Sequence, residues 1–340
     1  MAELRNTGQD AIRSCPAAAQ FQRSLYSAHL SRVRTDLSLR FWASKQVFGV
    51  NILFEGLVTG VLSGGVYALM ASGLTLIFGV MEIINIAQGA LVVLGAYLSY
   101  ALQHYWHIDL FLGLLLTMPL MFGFGVLLEF AFIRPLKRER TMFSILVTFA
   151  IALIIEGVLS FNFTTNLVSL RAWYVTATIP FAGFYLPYVY VFGFILSVIL
   201  LTGLYWLLYR TEFGKSLRAS MQNRTAAELI GINVERVSAI TFGIGIALTA
   251  AGGMVFGTTV PFNPGSSYDL ISRLLVIIVL GGMGSLRGAL IGSLALLVVE
   301  DVTSVEWSPV WASTVFFVLL IFLLLFRPQG IFGQREGRKQ

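Results

Sequence analysis

Cysteine is almost absent. Cys15 is the only one in 340 residues, which leaves no intramolecular disulfide framework and no cysteine cluster for a metal. Histidine is nearly as scarce. Of His29, His104 and His107, the last two sit three apart in a short loop and read as interfacial rather than as ligands. Charge is the third shortage: 12% of residues are charged, against about 25% in soluble domains. There is no Walker motif and no nucleophile–base–acid constellation, so any energy source or hydrolytic chemistry must lie elsewhere. Gly214-Lys215-Ser216 resembles the tail of a phosphate loop. However, the required earlier glycine is replaced by Tyr209, and an apolar helix rather than a strand precedes it.

What fills the chain is apolar residue: 57% hydrophobic, with a mean hydropathy of +0.81. This composition predicts an all-α, polytopic integral membrane protein with about 8–10 transmembrane helices. The spans are expected at roughly 52–78, 87–103, 110–133, 142–160, 186–209, 237–258, 270–284, 287–301 and 310–326. Lipid is therefore the surrounding partner. The net charge of +6 calls for no nucleic acid, because basic loops on one side of a bilayer account for it. Four basic residues lie in Arg134–Arg140, five in 210–236 and four in 327–340. The intervening loops hold only Arg171. The two groups alternate, which places the basic loops and the C-terminus in the cytoplasm. Nine crossings would then put the N-terminus outside, against the basic residues Arg40 and Lys45. Either one segment does not cross or the tail is not native.

Three regions follow. Residues 1–48 form a polar basic tail, with two readings open: disorder, or a start codon recorded upstream of the true one. Residues 51–330 form the membrane domain, and 331–340 a cytoplasmic tail. Segment 161–185 is rich in β-branched residues and ends at Pro180, which predicts a short strand or hairpin on the outer face. Pro119 is expected to kink its span, and Pro261–Pro264 to form an outer turn.

The organising stretch is Gly73–Ala90. It carries Glu82, Asn85, Gln88 and three glycines where plain apolar helix is expected. Polar groups at that depth are costly, and they mark pathways or interior faces. Asn85, Gln88 and Gly89 are predicted to form a substrate pathway, with Ser63 and Tyr67 as further polar partners. Glu82 either lines a polar cavity or snorkels at the cytoplasmic boundary. Glu156 lies deeper, as a candidate for the pathway or for inter-subunit pairing. Gln88-Gly-Ala-Leu is echoed by Arg287-Gly-Ala-Leu, each after a Gly-containing break, which suggests an internal repeat and adds Gly282 and Ser285 to the pathway set. Loop 210–236 is predicted to fold as two short helices: Ser216–Arg224, then Ala226–Ile230 capped by Thr225 and ended by Gly231.

The stretch Gly73–Gly89 with Leu94–Tyr97, the Arg218-Ala219…Asn223…Ala226-Ala227…Gly231-Ile232 loop, Leu280–Ser285 with Gly288, and Arg327–Gly330 together resemble the LivH-type permease subunits of branched-chain amino acid ABC importers. The resemblance covers most of residues 51–332. Many relatives have His-Gly where this chain has Gln88-Gly89. The resemblance implies a non-catalytic permease in a bacterial inner membrane that passes branched-chain or other hydrophobic amino acids. Related permeases handle urea, short amides or aromatic carboxylates, and an ion-coupled carrier is the alternative from another class. The implied partners are a second, LivM-type permease, two cytoplasmic ATPases and a periplasmic binding protein. ATP would be consumed by the partners, with no cofactor on this chain. The resemblance also implies an ATPase-coupling role for Gly214, Arg218, Ala219, Asn223, Ala226, Ala227, Gly231 and Ile232.

Overall fold

The structure, a computed structural model, describes residues 53–136, 140–172, 175, 177–181, 184–327 and 330. The expected tails 1–48 and 331–340 lie outside the described residues. Among those described, eight helices are long and apolar enough to cross a membrane. In chain order the long elements begin with α1 (Leu53–Met81), α2 (Gln88–Trp106), α3 (Leu110–Leu128) and α4 (Arg140–Phe163). A two-stranded hairpin follows, β1 (Thr178–Phe181) with β2 (Phe184–Pro187), and then α5 (Tyr188–Arg210). Two short helices, α6 (Glu212–Gln222) and α7 (Arg224–Leu229), lead into α8 (Val234–Thr259). The chain closes with α9 (Ser267–Gly281), α10 (Leu286–Glu306) and α11 (Pro309–Phe326).

The core is formed by α1, α2 and α8. In the most apolar windows of α1 and α8, 72% and 78% of residues are buried, against 12% for α11. Helix α2 is not among the eight apolar candidates, because Gln88, Ser99, Tyr100, Gln103 and His104 dilute it. It needs no such hydropathy, since α3, α4, α8 and α9 all pack on it and shield it from lipid.

Small residues set the close approaches. Lipid tails are as apolar as the helices, so association relies on backbone proximity and van der Waals packing. Gly56, Gly60 and Gly64 form one stripe on α1, facing Val302, Val298 and Leu294 of α10 in antiparallel order. A Cβ on Gly60 would lie 2.6 Å from the Val298 Cα, and one on Gly95 of α2 would lie 2.6 Å from the Ala250 Cα of α8.

The structure moves several predicted boundaries. The span expected at 270–284 stops at Gly281, and the one expected at 287–301 continues to Glu306. The outer-face strand expected before Pro180 is displaced. Val168 instead makes an isolated bridge to Phe262, and the hairpin runs Thr178–Pro187. Pro119 lies inside an unbroken α3, which ends in a π turn over Glu129–Ile133. Between Val260 and Ser267, Asn263 and Ser266 build a capping box around the Pro264 turn, as the proline content predicts.

Candidate functional site: two polar levels and a capped loop

Helix α1 breaks after Met81. Glu82 takes a left-handed conformation, φ 54°, and is exposed, with its carbonyl accepting a hydrogen bond from the Thr141 hydroxyl at 3.2 Å. Its exposure at the end of α1 sets it apart from the buried polar groups that follow. Three residues later the chain turns inward. Asn85 and Gln88 are both fully buried. The Asn85 amide donates to Gln88 Oε1 at 3.0 Å, and the Gln88 amide donates to the Thr249 hydroxyl of α8. Thr249 in turn donates to the Gly245 carbonyl at 2.7 Å, while Asn85 Oδ1 has no hydrogen-bond partner among the described residues. An unsatisfied buried amide oxygen costs about 1–3 kcal/mol, so this polar chain is expensive to keep. Gly89 lies against the start of α9, where a Cβ would come within 2.9 Å of the Ile271 backbone nitrogen.

A second break occurs between α9 and α10. Gly282 (φ 94°) and Gly284 (φ 80°) make a turn that a residue with a Cβ would adopt only under strain. Ser285 is occupied as a helix cap, accepting from the Gly288 N–H at 3.1 Å. The turn lies beside the end of α1, since a Cβ on Gly79 would be 3.7 Å from the Gly284 Cα. The same Cβ would be 2.6 Å from the Met221 methyl of α6. Helix α6 therefore touches the broken end of α1, and that end in turn lies against the α9–α10 turn. The Gln88 and Arg287 echoes share this design: a left-handed residue, a break, then a helix opening on X-Gly-Ala-Leu.

Ser63 and Tyr67 do not join the Asn85 group. They belong to another polar level. Along α1, Ser63 and Met81 are separated by about 27 Å at 1.5 Å per residue. There the Ser63 hydroxyl donates to Asp301 Oδ2 at 2.9 Å. Arg273 of α9 donates through Nε to Asp269 at 2.9 Å and through Nη1 to Glu300. Its guanidinium lies 5.9 Å from the Phe316 ring centroid of α11. None of Asp269, Arg273, Glu300 or Asp301 was singled out from the sequence. The signal was present, because a charge inside an apolar span costs roughly 2.5–3.5 kcal/mol on insertion scales. Arg273 falls within the span expected at 270–284, and Glu300 and Asp301 within that at 287–301. Glu156, also within a span, is half-buried and near enough to Tyr268 to interact with it.

The 210–236 loop folds as two helices with boundaries different from those expected. The first begins at Glu212, because the Thr211 hydroxyl accepts from the Gly214 N–H at 3.1 Å. The second is capped by Asn223 rather than Thr225, with Asn223 Oδ1 accepting from the Ala226 N–H at 3.0 Å. Asn outranks Thr as a cap, and it is the residue that adopts extended backbone at φ −156°. Gly231, φ 88°, ends α7 as predicted. Its N–H bonds Glu228 and that of Ile232 bonds Ala227, both at 3.0 Å, a Schellman arrangement. Gly214 is buried against the end of α5, and Arg218 donates to the Leu208 carbonyl while lying 5.0 Å from the Tyr209 ring. These two, with half-buried Ala219, hold the loop to α5. Ala227 is buried in the chain's own core, whereas Ala226 is exposed, with Leu229 and Ile230 at 83% and 74% exposure.

A family profile described as the permease component of the branched-chain amino acid transport system matches residues 56–324. The high-affinity branched-chain amino acid transport system permease protein BraD of Pseudomonas aeruginosa is 27% identical over 305 residues, covering 84% of this chain and 97% of that protein. The corresponding permease LivH of Escherichia coli is 28% identical over 299 residues, with the same two coverages. The autoinducer 2 import system permease LsrC of Escherichia coli is 29% identical over 139 residues, 37% of this chain and 41% of that one. No solved structure gives a significant match.

Proposed function

Because the chain belongs to the branched-chain amino acid transport permease family, we propose that it is the membrane subunit of an ATP-driven importer for branched-chain or other hydrophobic amino acids. It is a multi-pass membrane protein. In this reading it sits in a bacterial inner membrane with the basic loops and the C-terminus inside. A second permease pairs with it, a periplasmic binding protein delivers the solute, and two cytoplasmic ATPases supply energy. The chain hydrolyses nothing itself.

One observation supports the energy-coupling part of this reading: the α6–α7 loop is capped at both helices, ends in an exposed apolar tip, and touches the α1 break through Met221. A soluble loop with no partner has no reason to expose Leu229 and Ile230 side by side. ATP-driven movement of a docked partner would push Met221 against Gly79, which lies beside Gly284. That contact shifts the end of α1 and the α9–α10 turn, and the Asn85–Gln88–Thr249 chain lies directly behind the α1 break.

The test is the double variant Leu229→Asp/Ile230→Asp, with Ala226→Arg as a second perturbation of the exposed face. Both leave buried Ala227 untouched. Membrane insertion should be unchanged, while co-purification of the ATPases and amino acid uptake are lost. Coupled uptake at the unsubstituted rate in both variants would sink the docking assignment. A competition panel of leucine, urea, short amides and aromatic carboxylates against labelled leucine then defines the solute class.

A further inference from the structure

Four helices converge on Arg273. Its own helix, α9, supplies Asp269; α10 supplies Glu300 and Asp301; α1 supplies Ser63 and Tyr67; and α11 supplies Phe316. Tyr67 is near enough to interact electrostatically with both Arg273 and Glu300. A purely structural ion pair would match one charge with one charge. Here a single guanidinium pairs with two carboxylates, with a third, Asp301, next to Glu300 in sequence and held by Ser63, all within membrane-spanning helices.

The pair also has unspent capacity. Glu300 is nine-tenths buried, and its Oε2 has no hydrogen-bond partner among the described residues. A guanidinium has five N–H donors, and two ion-pair contacts do not exhaust them. A free acceptor and free donors therefore stand side by side on one contact. Side-chain exposure falls from 61% at Asp269 to 18% at Arg273 and 9% at Glu300, so the charges descend inward from the open end of α9. A molecule that carries an ammonium and a carboxylate on one carbon complements this arrangement, and an uncharged solute does not. Arg also suits a carboxylate through its planar fork.

We propose that Arg273 and Glu300 form a station for zwitterions within the membrane domain, with Arg273 hydrogen-bonding the α-carboxylate and Glu300 the α-ammonium of the amino acid in passage. The proposal rests on the import reading above and assigns the substrate's charged end to a level far from the Asn85–Gln88 break. The residual carboxylates keep the station net negative, which favours the ammonium end leading toward Glu300.

The experiment uses the full importer in proteoliposomes with saturating binding protein. It measures leucine uptake, ATPase co-purification and basal ATP hydrolysis. Glu300→Gln and Arg273→Gln should insert and assemble, keep basal hydrolysis, and lose at least about tenfold in uptake, the loss a 1.4 kcal/mol change in barrier produces. The exchange variant R273E/E300R remakes the ion pair with its polarity reversed. It should assemble as the parent does but not transport, because the two ends of the zwitterion meet the wrong charges. If the single variants fail to insert, the exchange variant carries the test alone. Full uptake by the exchange variant would overturn the station and leave a helix-locking ion pair. Absence of leucine uptake by the unsubstituted importer would instead overturn the import reading itself.

Discussion

Replacing Gly60 by alanine tests the packing that holds the two polar levels in place. The added Cβ would lie 2.6 Å from the Val298 Cα and 3.0 Å from the Leu297 carbonyl, about 0.8 Å short of the 3.4 Å at which ordinary contact begins. The obstacle is backbone, so no rotamer change relieves it, and α1 and α10 must separate. Overpacking of this kind costs typically about 1–3 kcal/mol. Alanine's better helix propensity returns at most about 1 kcal/mol. The net expectation is a loss of about 1–2 kcal/mol, more for Gly60→Val. One turn along, the 2.9 Å contact between Ser63 and Asp301 would stretch beyond hydrogen-bond range by the same displacement. The assay is the melting temperature of the detergent-solubilised protein, alongside its level in the membrane. Gly157→Ala in α4 and Gly203→Ala in α5 are the controls, since nothing lies within 4 Å of a Cβ at either site. The expected order of stability is Gly157→Ala at or above the parent, then Gly56→Ala, whose nearest contact is 3.1 Å, then Gly60→Ala. Equal melting of Gly60→Ala and Gly157→Ala would refute the reasoning.

Three further outcomes follow from the site. Gln88→Ala strands the Asn85 amide and removes the donor to the Thr249 hydroxyl, which should cost about 1–3 kcal/mol and depress uptake; Gln88→His, which offers both an acceptor and a donor, should recover most of it, measured by melting and by uptake. Glu82→Gln should leave uptake unchanged, because the carboxylate is exposed at the end of α1; a large loss would show that the charge itself works in transport. Arg134→Gln should change stability by less than about 1 kcal/mol and only at low salt, because its contact with Glu235 joins two exposed side chains.

Much of the membrane architecture was legible in the chain. Nine apolar runs, the Gly-containing breaks after 79 and 281, and a two-helix loop ended by Gly231 all correspond to observed elements. These are local properties. Apolar run length, left-handed glycine and cap chemistry act over a few residues, and the sequence reports them directly. Errors of boundary arose where two local signals competed. Thr225 and Asn223 are both competent caps, and only the backbone path into α7 selects Asn223.

What only the tertiary structure decided was which distant residues meet. Along the chain, Ser63, Tyr67, Asn85 and Gln88 read as one polar set. The long rise of α1 divides them into two levels, because a helix converts every residue into distance. The same folding brings Arg273 of α9 together with Glu300 of α10, and it places Met221 of a loop helix against Gly79, 142 positions away along the chain. Charge inside a span states a cost in one dimension; the partner that offsets the cost, and the function that justifies it, are properties of the packed bundle.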